Sequence, residues 1–338
     1  MASINILKFG VSSPSDTSPL EGLKAAGYKS DNILAVIGKS EGNGCVNDFS
    51  RTLSSHVWGS QIPESAVTVF SGGTEGVLSP HITFVVRDRS STGLRAAVGR
   101  TRILQPHEIG TSAQALEVCS SIRSMLNESG ILREQVRLIL IKCPLLTSEK
   151  VEMIKATGRT PVTTDTYDSM AKSRYSSALG IGIALDEVEE CHLDEALRSQ
   201  SAWSTKASCS SGAELEDCHI LIIASDSFTG NLRAISGHMD DAIDARAITR
   251  LLEQVNREGG QVLQVFAKAE ADPTGSIRGK RHTMNTDSDI HSTRHARAAV
   301  GGLLAGLTGE TQLYISGGAE GQGPPGGGPI CVAYRAGA

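Results

Sequence analysis

The chain has 338 residues, 39% hydrophobic, 20% charged and 4% aromatic, with 36 glycines. That length implies two or three structural units. Its 32 basic and 37 acidic side chains leave a formal charge of −5, which excludes a generally basic, nucleic-acid-binding surface. No apolar run nears the roughly 18 residues of a membrane span, the N-terminus does not read as a signal peptide, and seven cysteines without a CxxC argue against a disulfide or zinc framework; the expectation is a reduced, cytoplasmic protein with no nucleic-acid or membrane partner.

Short β-branched runs bounded by glycine or polar residues predict buried strands. In chain order, a first run at 33–39 ends at Lys39, Arg51 follows, and a second run at 67–71 ends at Ser71. Spacing of three and four predicts a helix over 113–131. The run 138–142 ends at Lys142; Arg174 follows, then a charged stretch at 186–204, and then the run 220–225 ending at Ser225. A second helix is predicted over 240–258, stopped by Gly259 and Gly260. The run 262–268 ends at Lys268, 269–292 reads as a polar surface loop, 294–307 as a short helix beginning at Arg294, and 312–316 as a strand ending at Ser316. Lysine, arginine and serine therefore recur in order at 39/51/71, 142/174/225 and 268/294/316. Repeats of this kind predict three α/β units, 1–103, 110–247 (with an insertion) and 253–338, arranged about an approximate three-fold axis.

Three lysines and three serines at strand ends that converge on one axis form a chemical pattern. A serine hydroxyl is a weak nucleophile until a base removes its proton. Lysine is such a base only when neutral, which requires its pKa to fall from about 10.4 toward roughly 7–8. Burial and neighbouring arginines supply that fall, and planar guanidinium groups grip carbonyl oxygens. Glycines after Ser71 (Gly72, Gly73) and after Ser316 (Gly317, Gly318) are expected to leave backbone N–H groups free for a developing oxyanion. The pattern points to a serine amidohydrolase acting on a small, carbonyl-rich ring. It does not by itself single out one of the three pairs.

The stretches 38–51, 71–81, 141–147 and 316–329 (GKSEGNGCVNDFSR, SGGTEGVLSPH, IKCPLLT and SGGAEGQGPPGGGP) resemble the cyanuric acid amidohydrolase/barbiturase family, and the likeness extends over all three units. It implies a three-unit α/β fold with the active site at the centre of a pseudo-three-fold axis, a homotetramer, and hydrolytic ring opening without a catalytic metal. It implies Lys142 as the catalytic base and Ser225 as the nucleophile, with the flanking Asp226, Lys39, Ser71, Gly72, Lys268, Ser316, Gly317, Arg51, Arg174 and Arg294 holding the substrate. The reaction implied opens cyanuric acid through an acyl-enzyme to carboxybiuret, which decarboxylates to biuret. The segment 226–232 departs from the family pattern, which keeps open a barbiturase that opens barbituric acid to ureidomalonate. A non-catalytic protein binding a small ring is the alternative from another class.

The resemblance also implies a structural Mg²⁺ or Ca²⁺ held by Glu270 and atoms of Ala319, Gln322, Gly323, Pro324 and Gly327, donors of the oxygen type such ions prefer. The glycine-rich 317–329 run lacks the GxxxxGK[ST] of a phosphate loop. His291 and His295 read as a polar helix start, Arg278, Lys280 and Arg281 as a solvated or subunit-contact cluster, and Cys143, one residue past Lys142, as core packing.

Overall fold

The structure is a computed structural model describing residues 2–226 and 229–337. Ser227 and Phe228, in the segment where the sequence departs from the family pattern, lie outside the described residues. The first unit holds strands β1 (Ala2–Gly10), β2 (Ile33–Ser40), β3 (Val67–Gly72) and β4 (His81–Asp88), with helices α1 (Pro19–Ala25) and α2 (Phe49–Gly59). The second holds β5 (Leu94–Arg100), β6 (Val136–Pro144), β7 (Ala207–Gly212) and β8 (His219–Ser225), with α3 (Ser112–Ser129), α4 (Ser148–Ala156), α5 (Thr166–Ala184) and α6 (Leu193–Ser199). The third holds β9 (Leu232–Met239), β10 (Gln261–Ala269), the two-residue strands β11 (Ser276–Ile277) and β12 (Lys280–Arg281), β13 (Tyr314–Gly317) and β14 (Gly328–Arg335), with α7 (Ala245–Arg257) and α8 (Ser292–Thr308).

The strand order within each unit is the same: β3-β2-β4-β1, β7-β6-β8-β5 and β13-β10-β14-β9. In each, one parallel pair carries the crossover helix, α2, α5 or α8, and the other two pairings are antiparallel. A short antiparallel contact of β1 with β5 joins the first two units into one sheet of eight strands. The strand pairing therefore starts each later unit earlier than the boundaries 110 and 253 taken from the sequence. β5 pairs with β8 and β9 with β14, so the second four-strand set begins at Leu94 and the third at Leu232.

Three outer cores lie between each unit's sheet and its helices, and a fourth lies between the sheets. The inner core includes Ile37, Leu140 and Phe266, each two residues before a repeated lysine, together with Val69 and Tyr314, each two residues before a serine. Because side chains alternate along a strand, the lysines and serines stand on the inner faces directly beyond this apolar layer. Cys143 points the other way, into the helix-covered core of the second unit, as expected.

Candidate functional site

The parallel pairs place each lysine directly beside a serine: Lys39 opposite Ser71, Lys268 opposite Ser316 and Lys142 opposite Ser210. The middle serine is thus not Ser225. On antiparallel β8, Lys142 pairs with His219, and Ser225 stands six residues further along, about 20 Å at 3.3 Å per residue. There its Oγ accepts from the Ala234 N–H at 3.1 Å, in a separate cavity with Arg137, Lys206 and Arg233. Asp226 follows at that same far end, its N–H donating to Gly93 O. Both residues leave the site, because the apolar run ending at Ser225 is the central antiparallel strand of its unit rather than the parallel partner of β6. The signal for Ser210 lay in a second repeat, Ser-Gly-Gly-Thr-Glu at 71–75, Ser-Ser-Gly-Ala-Glu at 210–214 and Ser-Gly-Gly-Ala-Glu at 316–320.

The glutamates closing those motifs complete the cluster. Arg51 of the first unit pairs with Glu214 of the second at 3.1 Å, Arg174 of the second with Glu320 of the third at 2.7 Å, and Arg297 of the third with Glu75 of the first at 2.6 Å. These pairs form a closed ring that staples each unit to the next. All three arginines are buried, at 2%, 4% and 2% exposure. The third member is Arg297 and not the expected Arg294, which also reaches Glu75 at 3.1 Å but keeps 36% of its side chain exposed. Helix phase explains the difference: α8 begins at Ser292, and Arg297, one turn further on, faces the sheet.

Two of the lysine amines, those of Lys142 and Lys268, are engaged across the same unit boundaries. Lys142 Nζ donates to Phe70 O at 2.8 Å and Ser211 O at 3.0 Å and lies 3.2 Å from Glu214. Lys268 Nζ donates to Cys209 O at 2.7 Å, Ser316 Oγ at 3.0 Å and Gly317 O at 3.2 Å, while Lys39 Nζ donates to Gly72 O at 3.2 Å. Burial, followed by the charge of one arginine, lowers each amine: Arg51 brings Lys142 to about 8, Arg174 brings Lys268 to about 7, and Arg297 holds Lys39 well below its ordinary value. Each lysine is therefore depressed by the arginine of the neighbouring unit and partly re-supported by its own unit's glutamate, a three-fold electrostatic pattern.

The serines are not equivalent in their bonding. Ser71 Oγ donates to Ser316 Oγ at 3.2 Å, whereas the buried Ser210 Oγ has no hydrogen-bond partner among the described residues. Gly72 and Gly317 do lie in the cluster, but as carbonyl acceptors for lysine. The N–H groups of the second glycines are not free as expected: Gly73 N donates to Ser40 O at 2.9 Å and Gly318 N to Ala269 O at 3.0 Å.

Beside Glu320, the Glu270 carboxyl is part-buried and accepts only from Gly326 N at 3.0 Å among the hydrogen bonds of the described residues. Burial, and next the charge of Glu320, push it up to about 7. A part-buried carboxyl raised by a neighbouring carboxylate is a place where a hard cation fits. The glycine-rich segment after β13 makes two successive turns, Gln322 N donating to Ala319 O at 2.8 Å and Gly327 N to Pro324 O at 2.9 Å. The Gln322 side chain is committed elsewhere, its Oε1 accepting from Cys209 N at 2.6 Å, which leaves its backbone for such an ion. Of the two histidines, His291 caps α8 and His295 pairs with Asp287, as a polar helix start requires.

A family model described as amidohydrolase ring-opening protein matches residues 5–335. The chain belongs to this family. Cyanuric acid amidohydrolases from Sarocladium sp and Pseudonocardia dioxanivorans are 62% and 53% identical to it, each over 99% of both chains. A solved cyanuric acid hydrolase, described as an evolutionary innovation by structural concatenation, superposes with a TM-score of 0.93 at 41% identity over 99% of this chain and 100% of that one. The cyanuric acid hydrolase of A. caulinodans gives 0.93 at 40% identity over 100% of both. The ring-opening amidohydrolase family thus accounts for the whole chain, which is an enzyme of three concatenated α/β units.

Proposed function

We propose that the enzyme opens cyanuric acid by hydrolysis, with Ser210 as nucleophile and Lys142 as base. The observation that carries the assignment is the Ser210 Oγ: of the three serine hydroxyls facing the axis it alone has no hydrogen bond among the described residues, and it stands in register with Lys142. Neutral Lys142 takes the Ser210 proton as Oγ adds to a ring carbonyl carbon. The oxyanion so formed faces the remaining cationic donors of the cluster, groups already oriented and shielded from water. The ring C–N bond then breaks, Lys142 returns the proton to the leaving nitrogen, and the acyl group stays on Ser210. Water adds to the acyl carbon, gives its proton to Lys142, and expels Ser210 Oγ, which regains that proton. The product is carboxybiuret, which loses carbon dioxide to give biuret. A ring with three equivalent carbonyls suits three equivalent lysine–serine pairs, which favours cyanuric over barbituric acid.

The same reaction has a second assignment with a geometric basis. Lys268 already donates to Ser316 at 3.0 Å and is lowered furthest among the amines with a stated value, to about 7. Ser316 Oγ, however, also accepts from Ser71, which occupies the lone pairs an attacking oxygen needs. A divalent cation at Glu270 would balance that carboxylate and Glu320, and so hold the Arg174 pair in place. It takes no part in the bond changes above.

The experiment is ring opening on separate cyanuric and barbituric acid solutions, followed by substrate absorbance and by biuret. Loss of cyanuric acid with biuret appearing is expected. Loss of barbituric acid alone would transfer the mechanism to the other ring, and loss of neither by folded protein would make this a binding protein.

A further inference from the structure

Two residues before each serine, the inner faces of β3, β7 and β13 carry Val69, Ser208 and Tyr314. The units agree in lysine, serine, arginine and glutamate, and differ at this layer. Tyr314 is 1% exposed, and its ring centroid packs 5.9 Å from that of Phe266. Its hydroxyl faces the side chains of Ser71, Ser210 and Ser316. Yet Tyr314 Oη and Ser210 Oγ are both buried without a hydrogen-bond partner among the described residues. Two unpartnered polar atoms in one small space call for an explanation, since buried hydroxyls are normally satisfied.

Counting donors and acceptors supplies one. Ser316 Oγ accepts from Lys268 and from Ser71, which uses both its lone pairs. Its own proton then has the Tyr314 oxygen as its neighbouring acceptor, and the phenol proton has Ser210 Oγ. The Ser210 proton is left for Lys142. Burial raises the phenol above its ordinary value, so it stays protonated and acts as donor throughout.

We propose that Tyr314 is a positioning residue whose hydroxyl links Ser316 to Ser210 in one chain of hydrogen bonds, selecting Ser210 from three otherwise matched serines and directing its proton to Lys142. No proton leaves the phenol. In the free enzyme these links are not made among the described residues; the chain closes when substrate binds, as catalytic hydrogen bonds commonly tighten then. This inference rests on Ser210 being the nucleophile.

The test is Tyr314→Phe, which keeps the ring against Phe266 and removes only the hydroxyl. The expected result is a fall in kcat of about 10- to 100-fold, the scale of a misplaced reacting group, with KM nearly unchanged. The melting temperature should hold or rise, because an unpartnered buried hydroxyl is removed. A kcat within about twofold of the parent, too small for lost positioning, would overturn the inference. So would a variant that fails to fold, or one in which kcat, KM and melting temperature worsen together, since either outcome makes the hydroxyl structural. Absence of cyanuric acid turnover in the unsubstituted enzyme would instead overturn the functional reading beneath it.

Discussion

Arg294 and Arg297 both touch Glu75, and their burial separates what they are worth. The Arg297–Glu75 pair is 3% and 11% exposed, so removing Arg297 leaves that carboxylate only the part-exposed Arg294, at a cost near the low end of about 3–5 kcal/mol. Arg294 keeps 36% exposure, where an ion pair contributes about 0–1 kcal/mol. Arg297→Ala is therefore expected to lower the denaturation midpoint strongly and to weaken turnover, and Arg294→Ala to do little of either. Equal effects in denaturant titrations would break the proposed ring. The base assignment sets a pH dependence. Lys142 accepts a proton only when neutral, and its amine is lowered to about 8. kcat/KM should therefore fall about tenfold per unit as pH drops below that value, and level off above it. A profile still climbing tenfold per unit beyond pH ~10 would report an unperturbed lysine.

At the scale of elements, legibility followed composition. The strands at 33–39, 138–142 and 262–268 were readable because their runs are apolar, and they appear as β2, β6 and β10. β7 was not, because Ala-Ser-Cys-Ser-Ser-Gly carries no hydrophobic run, and its place in the sheet comes from pairing with β6. That single missed strand explains why Ser225 stood in for Ser210. Helix α5 was missed for the opposite reason: it is buried on nearly every side and shows no amphipathic period. The helices expected at 113–131 and 240–258 are found as α3 and α7, the second beginning later because Asp244 caps it. Arginine positions were legible as a residue type in the right interval, and helix phase decided which one faces the sheet. Element geometry also makes a prediction at Gly318, just after β13. Its φ is +76°, and a Cβ there would lie 2.6 Å from the Arg174 guanidinium. Gly318→Ala should cost about 1–3 kcal/mol in denaturant titration through backbone strain, and displace Arg174 from Glu320. An unchanged midpoint would show that the turn has another conformation open to it.

Over the whole molecule, three copies of one strand order make a site that no single unit contains. Each arginine meets the next unit's glutamate, and Lys142 and Lys268 reach the carbonyl of the residue before the neighbouring unit's serine. Repetition was legible in the sequence because lysine and serine recur in order; the handover between units was not, because it depends on which inner faces meet. The proposed cation at Glu270 belongs to this scale, since it would brace the junction of the second and third units through Glu320 and Arg174. Dialysis against a chelator is expected to lower the melting temperature, and added Mg²⁺ or Ca²⁺ to restore it, by about 2.7 kcal/mol of stability when the ion is 100-fold above its Kd. Glu270→Gln should abolish that response; an equal response in the variant would place the ion elsewhere. The most direct measurement of the central claim is cyanuric acid turnover by Ser210→Ala, Ser316→Ala and Ser225→Ala, each confirmed folded by its melting curve. The account predicts no turnover in Ser210→Ala, turnover at a reduced level in Ser316→Ala, and near-parental turnover in Ser225→Ala. Turnover retained in Ser210→Ala, with loss in either of the others, would contradict it.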